Sequence, residues 1–189
     1  MALPDFSPIP CQPGHRETTG HGAETLCVRI VLFNLMDKVQ LRRNTVSEQE
    51  NIKAAHAFFD AWNAGDLSKA DAYNASDFLA EGPGAPGPMN TEQNRMYTQN
   101  FLTAFPGSKF EVLLTIAHGD YVVTHWKAGG GAHTGPLHTP SGGVIPPTGK
   151  TATIFGSTTT QAKNGKITHS YLFFDMTSLL GQLGLLPPM

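Results

Sequence analysis

Apolar residues in the first half of the chain recur at helical spacing. Four of them lie three or four positions apart and form one face: Ile52, Ala55, Phe59 and Trp62. Such a stripe is typical of an amphipathic helix, and a glycine commonly follows the last turn of a helix. The pattern therefore predicts a helix that begins at Ser47 and ends near Gly65.

A second long helix is predicted after a loop rich in glycine and proline at residues 82–88. Asn90 and Gln93 have the spacing of a capping box. An apolar face follows them, at Tyr97, Phe101, Ala104 and Phe105. Two shorter helices are predicted at 67–73 and 177–183.

The pattern changes to alternation of apolar and polar residues after Gly107. Period two is typical of half-buried strands, which are predicted at 110–116, 121–128, 151–161 and 167–175, with a brief strand at 78–81. Asn164-Gly165 is a hairpin signal, and residues 134–150 are predicted to be a loop. Helices followed by hairpin-linked strands favour an α+β fold. We expect a curved antiparallel sheet with the N-terminal helices packed on its concave face, enclosing a pocket.

The first 45 residues differ in amino-acid composition from the rest of the chain. Prolines and glycines dominate their beginning, which disfavours both helix and strand. We therefore expect residues 1–45 to be a partly disordered extension and residues 46–189 to be one domain. Deleting the extension should leave a domain that folds cooperatively.

Charge and cysteine content narrow the function classes. Thirteen basic and fifteen acidic residues give a net charge of −2, which disfavours nucleic-acid binding. Both cysteines, Cys11 and Cys27, precede the patterned region, so no disulfide framework is expected there. The longest apolar run, 26–36, is shorter than the ~20 residues that span a membrane. We therefore expect a cytoplasmic protein that has no membrane partner.

Three segments together resemble the SnoaL-like polyketide cyclase (ester cyclase) family of the nuclear transport factor 2-like superfamily. They are Phe-Phe-Asp-Ala-Trp-Asn-Ala-Gly-Asp-Leu at 58–67, Gly-Ala-His-Thr-Gly at 131–135, and Asn-Gly-Lys-Ile at 164–167 with Asp175 and Gln-Leu-Gly at 182–184. The resemblance implies a cone-shaped α+β barrel with a deep pocket. It also implies intramolecular aldol chemistry by a carboxylate acid/base, with no metal or cofactor, in a homodimer paired through the outer sheet face.

The sequence departs from this family at its catalytic positions. In the register set by residues 164–167 and 182–184, the family's catalytic aspartate falls on Leu172, and a pocket histidine falls on Thr158. Asp175 is the acid that remains. Either Asp175 has taken over the acid/base role, in which case Asp175→Asn should abolish turnover, or the chemistry has changed.

Three residues are candidate catalytic groups, each with a structural alternative. Asp175 is either the pocket acid or the N-cap of the last helix. His133 is either a polar group at the pocket mouth or a residue that structures its loop, and His169 is either a base or a surface histidine. The candidate substrate-binding residues are mostly aromatic: Phe59, Trp62, Trp126, Thr158, Tyr171, Leu172 and Phe174. If Leu172 faces the pocket, alternation directs His169 and Tyr171 outward.

No metal site is predicted, because the spacing of His125, His133 and His138 matches no ligand pattern. The leading hypothesis is a cofactor-free acid/base enzyme that cyclises or isomerises an apolar carbonyl compound. The alternative is a non-catalytic module that binds a small hydrophobic ligand. An epoxide hydrolase of the same superfamily would need carboxylates beside an arginine in the pocket, and Arg95 is the only arginine after Thr45; the sequence indicates no such trio.

Overall fold

A computed structural model describes residues 47–139 and 142–186. The predicted extension at 1–45 lies outside the described residues, and the domain boundary remains a prediction. None of the helices in the described ranges is long and apolar enough to cross a membrane.

The described part of the chain contains a long first helix and three further helices. Helix α1 covers residues 47–64, α2 covers Ser68–Asp71, α3 covers Thr91–Ala104 and α4 covers Met176–Gln182. The capping box predicted for α3 is confirmed: Gln93 N–H donates to Asn90 Oδ1 at 2.9 Å, and Asn90 N–H donates to Gln93 Oε1 at 3.0 Å. Gly65 ends α1 at a positive φ of 72°, which glycine adopts without steric cost.

Five strands form the main sheet, in the order β1-β7-β6-β3-β2. Their bounds are Asn74–Glu81, Lys166–Phe174, Ile154–Lys163, Tyr121–Gly129 and Lys109–His118, in that order. The predicted hairpin between β6 and β7 turns at Asn164 and Gly165, which have φ of 51° and 70°. The α+β fold with a curved, mainly antiparallel sheet is confirmed.

Two details of the strand prediction are corrected. Strand β1 begins at Asn74 instead of Phe78 and pairs with β7 in parallel, although all the other pairings in this sheet are antiparallel. The predicted loop at 134–150 contains a two-stranded ribbon of β4, Leu137–His138, and β5, Val144–Ile145. Strands this short carry too few residues for a periodic signal.

Helix α1 packs on the inner face of the sheet. Phe59 shares a buried cluster with Trp126 and Ala128 of β3. The fully buried Asn51 links α1 to two hairpin turns, since its Nδ2 donates to Gly119 O at 3.3 Å and its Oδ1 accepts from Gly165 N–H at 3.1 Å. These contacts fix α1 across the concave side, where the cavity lies.

Candidate functional site

Two neighbouring hollows occupy the space between the helices and the inner face of the sheet. The aromatic hollow is walled largely by rings and encloses about 660 Å³, including its opening to solvent. The charged hollow encloses about 790 Å³ on the same basis and includes Asp71 and Arg95 in its wall. The side chains common to both walls are Phe58, Tyr97, Thr98 and Leu172.

The aromatic hollow is built from rings that meet edge to face. Phe110 of β2 lies between Trp62, at a centroid distance of 5.0 Å and an angle of 89°, and Trp126, at 4.8 Å and 76°. Phe101 of α3 meets Phe174 of β7 at 6.0 Å and 90°. Such arrangements are the favoured geometry of aromatic pairs. The rings therefore hold one another in place around the space.

Strand β6 also shapes this wall. A Cβ at Gly156 would lie far inside van der Waals contact of the Trp126 indole. Trp126 Nε1 donates to Thr158 Oγ1 at 3.0 Å, so β6 fixes the indole both by contact and by a hydrogen bond.

Tyr97 stands between the two hollows with its hydroxyl bound to the protein. The hydroxyl donates to Pro83 O at 2.9 Å. Burial raises the pKa of Tyr97 to about 12, because the charged phenolate is poorly solvated there. Tyr97 is therefore a neutral phenol at physiological pH.

The charged hollow contains an ion pair between two helices. Arg95 Nη1 of α3 lies 2.8 Å from Asp71 Oδ2 of α2, and the two side chains are 45% and 27% exposed. Glu81 is also a wall residue, but its carboxylate lies 3.8 Å from His169 Nε2. Within the described ranges, one carboxylate is paired with Arg95, so the trio that an epoxide hydrolase needs is not assembled.

Six predicted substrate-binding residues lie in the cavity walls. The charged hollow is lined by Phe59 and Thr158, and the aromatic hollow is lined by Trp62, Trp126 and Phe174. Leu172 lines both hollows. Leu172 pairs with Thr158 across the β6–β7 ladder, which accounts for their common face.

Tyr171 lies outside both walls, next to His169. Their rings stack with centroids 4.9 Å apart and planes inclined by 15°. Since Leu172 faces inward, alternation directs its neighbour Tyr171 to the outer face of β7. The structure therefore separates Tyr171 and His169 from the other predicted site residues.

Asp175 is an exposed cap. It precedes α4, and its Oδ1 accepts a hydrogen bond from Ser178 N–H at 2.8 Å. Asp175 belongs to the wall of neither hollow. The structure therefore places it where the helix-cap interpretation predicts, and its catalytic role stays a prediction.

His133 is fully buried behind the aromatic hollow. Its ring stacks on Phe105, and its Nδ1 accepts from Thr148 N–H at 3.3 Å. That hydrogen bond assigns the ring proton to Nε2, which is buried and without a partner. Burial lowers the pKa of His133, since the imidazolium would lose its hydration.

The two glycines of the Gly-Ala-His-Thr-Gly segment allow the chain to approach the end of α3. A Cβ at Gly131 would come within 2.8 Å of Pro106 O and Ser108 N, and one at Gly135 would overlap Thr103 O. Gly135 N–H also donates to Ala104 O at 3.2 Å. This segment, which is part of the loop after β3, thus packs closely against the C-terminus of α3.

The Asp71–Arg95 pair is a site feature that the sequence did not predict. The two residues come from helices separated by the whole of β1 and the loop after it, so no motif spacing connects them. The available signal in the sequence was that Arg95 lies in a predicted helix that also carries an apolar face. In the described part of the chain, no group of three His, Cys, Asp or Glu side chains is arranged to hold a metal ion.

Comparison with known families agrees with this architecture. Residues 52–183 match the family described as SnoaL-like polyketide cyclase. The chain belongs to this family. The matched residues include the walls of both hollows and end within the turn that follows α4. Family membership supports a cyclase-like role in which a small molecule is bound. No curated protein matches the chain significantly.

Solved structures show the same fold. AclR of Streptomyces galilaeus, a proposed hydroxylase, is 22% identical with a TM-score of 0.64, over 76% of this chain and 90% of AclR. A proposed SnoaL-like polyketide cyclase of Jannaschia sp. CCS1 is 19% identical with a TM-score of 0.62, over 75% and 95% of the two chains. IdmH of Streptomyces antibioticus, a proposed polyketide cyclase, is 24% identical with a TM-score of 0.60, over 71% and 98%. At these identities the likeness shows the nuclear transport factor 2-like fold alone.

Proposed function

We propose that the protein binds a small apolar carbonyl compound across the two hollows and cyclises or isomerises it by proton transfer, without a metal or redox cofactor. The observation that carries this proposal is the Asp71–Arg95 pair in the wall of the charged hollow, next to the aromatic hollow, whose wall is largely apolar. An apolar cavity with few polar groups suits a hydrophobic ligand better than a sugar or phosphate.

Asp71 and Arg95 divide the chemistry between them. Asp71 takes a proton from the carbon next to the carbonyl, and free N–H groups of Arg95 bind the enolate oxygen that forms. In a cyclisation, the enolate carbon then attacks a second carbonyl of the same molecule, and a carbon–carbon bond forms. The resulting alkoxide receives the proton from Asp71, which restores the carboxylate.

The three catalytic residues expected from the sequence have other supported roles. Asp175 caps α4 and is exposed, and the Nε2 of His169 lies 3.8 Å from Glu81. His133 is enclosed behind Phe105. We therefore assign the acid/base role to Asp71 and keep Asp175 as the residue against which it is tested.

Deuterium exchange tests the proposal without knowledge of the natural substrate. 1-Tetralone carries exchangeable protons next to its carbonyl on an apolar two-ring frame. In deuterated buffer we expect the protein to accelerate deuterium uptake at C2, and proton NMR measures the rate of this uptake. Asp71→Asn should lower this acceleration at least about 100-fold, as expected for loss of a positioned acid/base.

A matched control is Asp60→Asn. Asp60 is an exposed carboxylate of α1 and lies in neither wall. It should exchange at the wild-type rate. If Asp71→Asn exchanges as fast as Asp60→Asn, Asp71 is not the base; if Asp175→Asn alone loses exchange, the role returns to Asp175.

The second candidate function is a non-catalytic module that binds a small hydrophobic ligand. It is favoured by the position of Asp175, His133 and His169 outside both walls. This function predicts that 1-tetralone binds, as measured by equilibrium dialysis, while its exchange rate equals that of buffer alone.

We also propose that the protein is a homodimer that pairs through the outer sheet face. Apolar side chains on that face are exposed to between 49% and 62%: Leu114, Ile116, Tyr121, Phe155 and Phe173. An exposed patch of this kind indicates an interaction surface, and two-fold dimers are the commonest oligomers. The cytoplasmic location stays a prediction.

A further inference from the structure

We infer that Ser108 is the hydrogen-bonding group that selects an oxygen-bearing ring in the aromatic hollow, an inference that rests on the proposed function. Ser108 lies beyond the end of α3 and is a wall residue of this hollow. It is only 7% exposed, and its Oγ is buried without a hydrogen-bond partner. A buried hydroxyl without a partner is unusual and calls for an explanation.

The main-chain groups of Ser108 are already engaged. Its N–H donates to Phe105 O at 3.1 Å, and its carbonyl accepts from Trp62 Nε1 at 3.1 Å. These bonds hold the residue rigidly between α3 and α1. The main chain of Ser108 is thus held in place, while the hydrogen-bonding capacity of its hydroxyl is unused.

The other polar atoms of the ring-bearing wall residues are also occupied. Trp62 donates to Ser108 O, Trp126 donates to Thr158 Oγ1, and the Tyr97 hydroxyl donates to Pro83 O. Thr98 is the remaining hydroxyl of the wall, and it lies where the two hollows meet. A ligand ring in the aromatic hollow therefore finds the Ser108 hydroxyl as its polar partner away from that junction.

The position of Ser108 also constrains the shape of the ligand. Arg95 belongs to the second turn of α3, whereas Ser108 follows the end of this helix at Ala104. Nine helical positions separate Arg95 from Ala104, which is about 13 Å along the axis. A ligand that reaches both residues must therefore be elongated, with a carbonyl at one end and a hydroxyl or carbonyl oxygen at the other.

Two probes of equal size test the inference. 2-Naphthol and 2-methylnaphthalene share the same ring system, but the first carries a hydroxyl group where the second carries a methyl group. Both are fluorescent, so their free concentrations are measured directly in equilibrium dialysis. We expect the wild-type protein to prefer 2-naphthol and Ser108→Ala to lose between about twofold and tenfold of that preference, the range of a single neutral hydrogen bond.

Thr124→Val is the matched control variant. Thr124 Oγ1 is also buried without a partner, but Thr124 lines neither hollow. Its replacement should leave the preference for 2-naphthol unchanged. Thermal unfolding of both variants checks that the fold is intact, since neither substitution removes a hydrogen bond of the protein.

The outcomes separate this inference from the proposed function. An unchanged preference in Ser108→Ala overturns the role of Ser108, as does a preference lost in Thr98→Val but not in Ser108→Ala. Either result leaves the exchange of 1-tetralone and its dependence on Asp71 intact. If neither naphthalene probe binds the wild-type protein, the aromatic hollow is not a ligand site; if both bind and 1-tetralone is not exchanged, the proposed chemistry fails while the selectivity of Ser108 stands.

Discussion

The ring of His133 stacks on that of Phe105, with centroids 4.9 Å apart and planes inclined by 23°. Phe105 in turn lines the aromatic hollow. His133, for which the sequence left open a place at the pocket mouth or a role in structuring its loop, therefore supports the cavity wall from behind.

This burial predicts a pH-dependent stability. The pKa of His133 is lowered in the folded protein, so the unfolded chain binds a proton more readily than the folded one. Stability from neutral His133 is then present above the unfolded pKa near 6.5 and decreases as the pH falls below it. We expect the melting temperature of wild type to fall more steeply between pH 7 and 5 than that of His133→Asn. Equal slopes would show that His133 does not contribute.

Capping and catalysis at Asp175 can be separated by two substitutions. Asn caps helices as well as Asp, whereas Ala does not. We expect Asp175→Asn to retain wild-type stability and Asp175→Ala to lose about 0.5–2 kcal/mol in urea unfolding. Because Asp175 lies outside both walls, Asp175→Asn should also retain exchange of 1-tetralone, contrary to the expectation from the sequence.

The glycines beside His133 should be intolerant of a side chain. A Cβ at Gly135 would overlap Thr103 O, whereas one at Gly87 would have no atom within 4 Å. We expect Gly135→Ala to cost about 1–3 kcal/mol of unfolding free energy, as overpacking does. Gly87→Ala should be close to neutral, and a neutral Gly135→Ala would mean that the loop is not held against α3.

Leu172 offers a test of the position to which the family resemblance assigns the catalytic aspartate. Leu172→Asp would place a carboxylate in the wall of both hollows, where poor solvation raises the pKa of an acid. Its folded pKa would exceed the unfolded value, so we expect the destabilisation of this variant to be smaller at pH 4 than at pH 8. Denaturant unfolding at the two pH values measures the difference, and an equal loss at both would place the new side chain in water.

A charged substitution should disrupt the proposed dimer when it lies on the outer sheet face but not when it lies on α3. Phe155 is 61% exposed on the outer sheet face, and Met96 is 67% exposed on α3. We expect Phe155→Lys to yield a monomer and Met96→Lys to stay dimeric in light scattering at micromolar concentration. A wild-type monomer would exclude the dimer.

Local patterns explain what the sequence predicted well. The cap at Asn90, the glycine at 65 and the hairpin at 164–165 depend on neighbouring residues, so their signals lie within a few positions of one another. The inward orientation of Leu172 follows from alternation once the face of β7 is known. The parallel pairing of β1 with β7 and the contact of Asp71 with Arg95 join distant segments, and no local pattern encodes them.

Asp175 shows the corresponding limit for function. An acid directly after β7 can serve either as the N-cap of the following helix or as a pocket acid, so its place in the sequence fits both roles. Only the three-dimensional position separates the roles, and it places Asp175 in solvent beside Ser178. Ser108 was missed for the opposite reason, since a serine after a helix and a Pro-Gly pair has no distinctive sequence signal.

The edge-to-face ring cluster has a spectroscopic consequence. The protein contains two tryptophans, Trp62 and Trp126, and both belong to the wall of the aromatic hollow. All of the indole emission of the protein therefore originates at the cavity. A compound that enters it changes the surroundings of every emitting group at once, so the intrinsic fluorescence is an unlabelled reporter for candidate ligands.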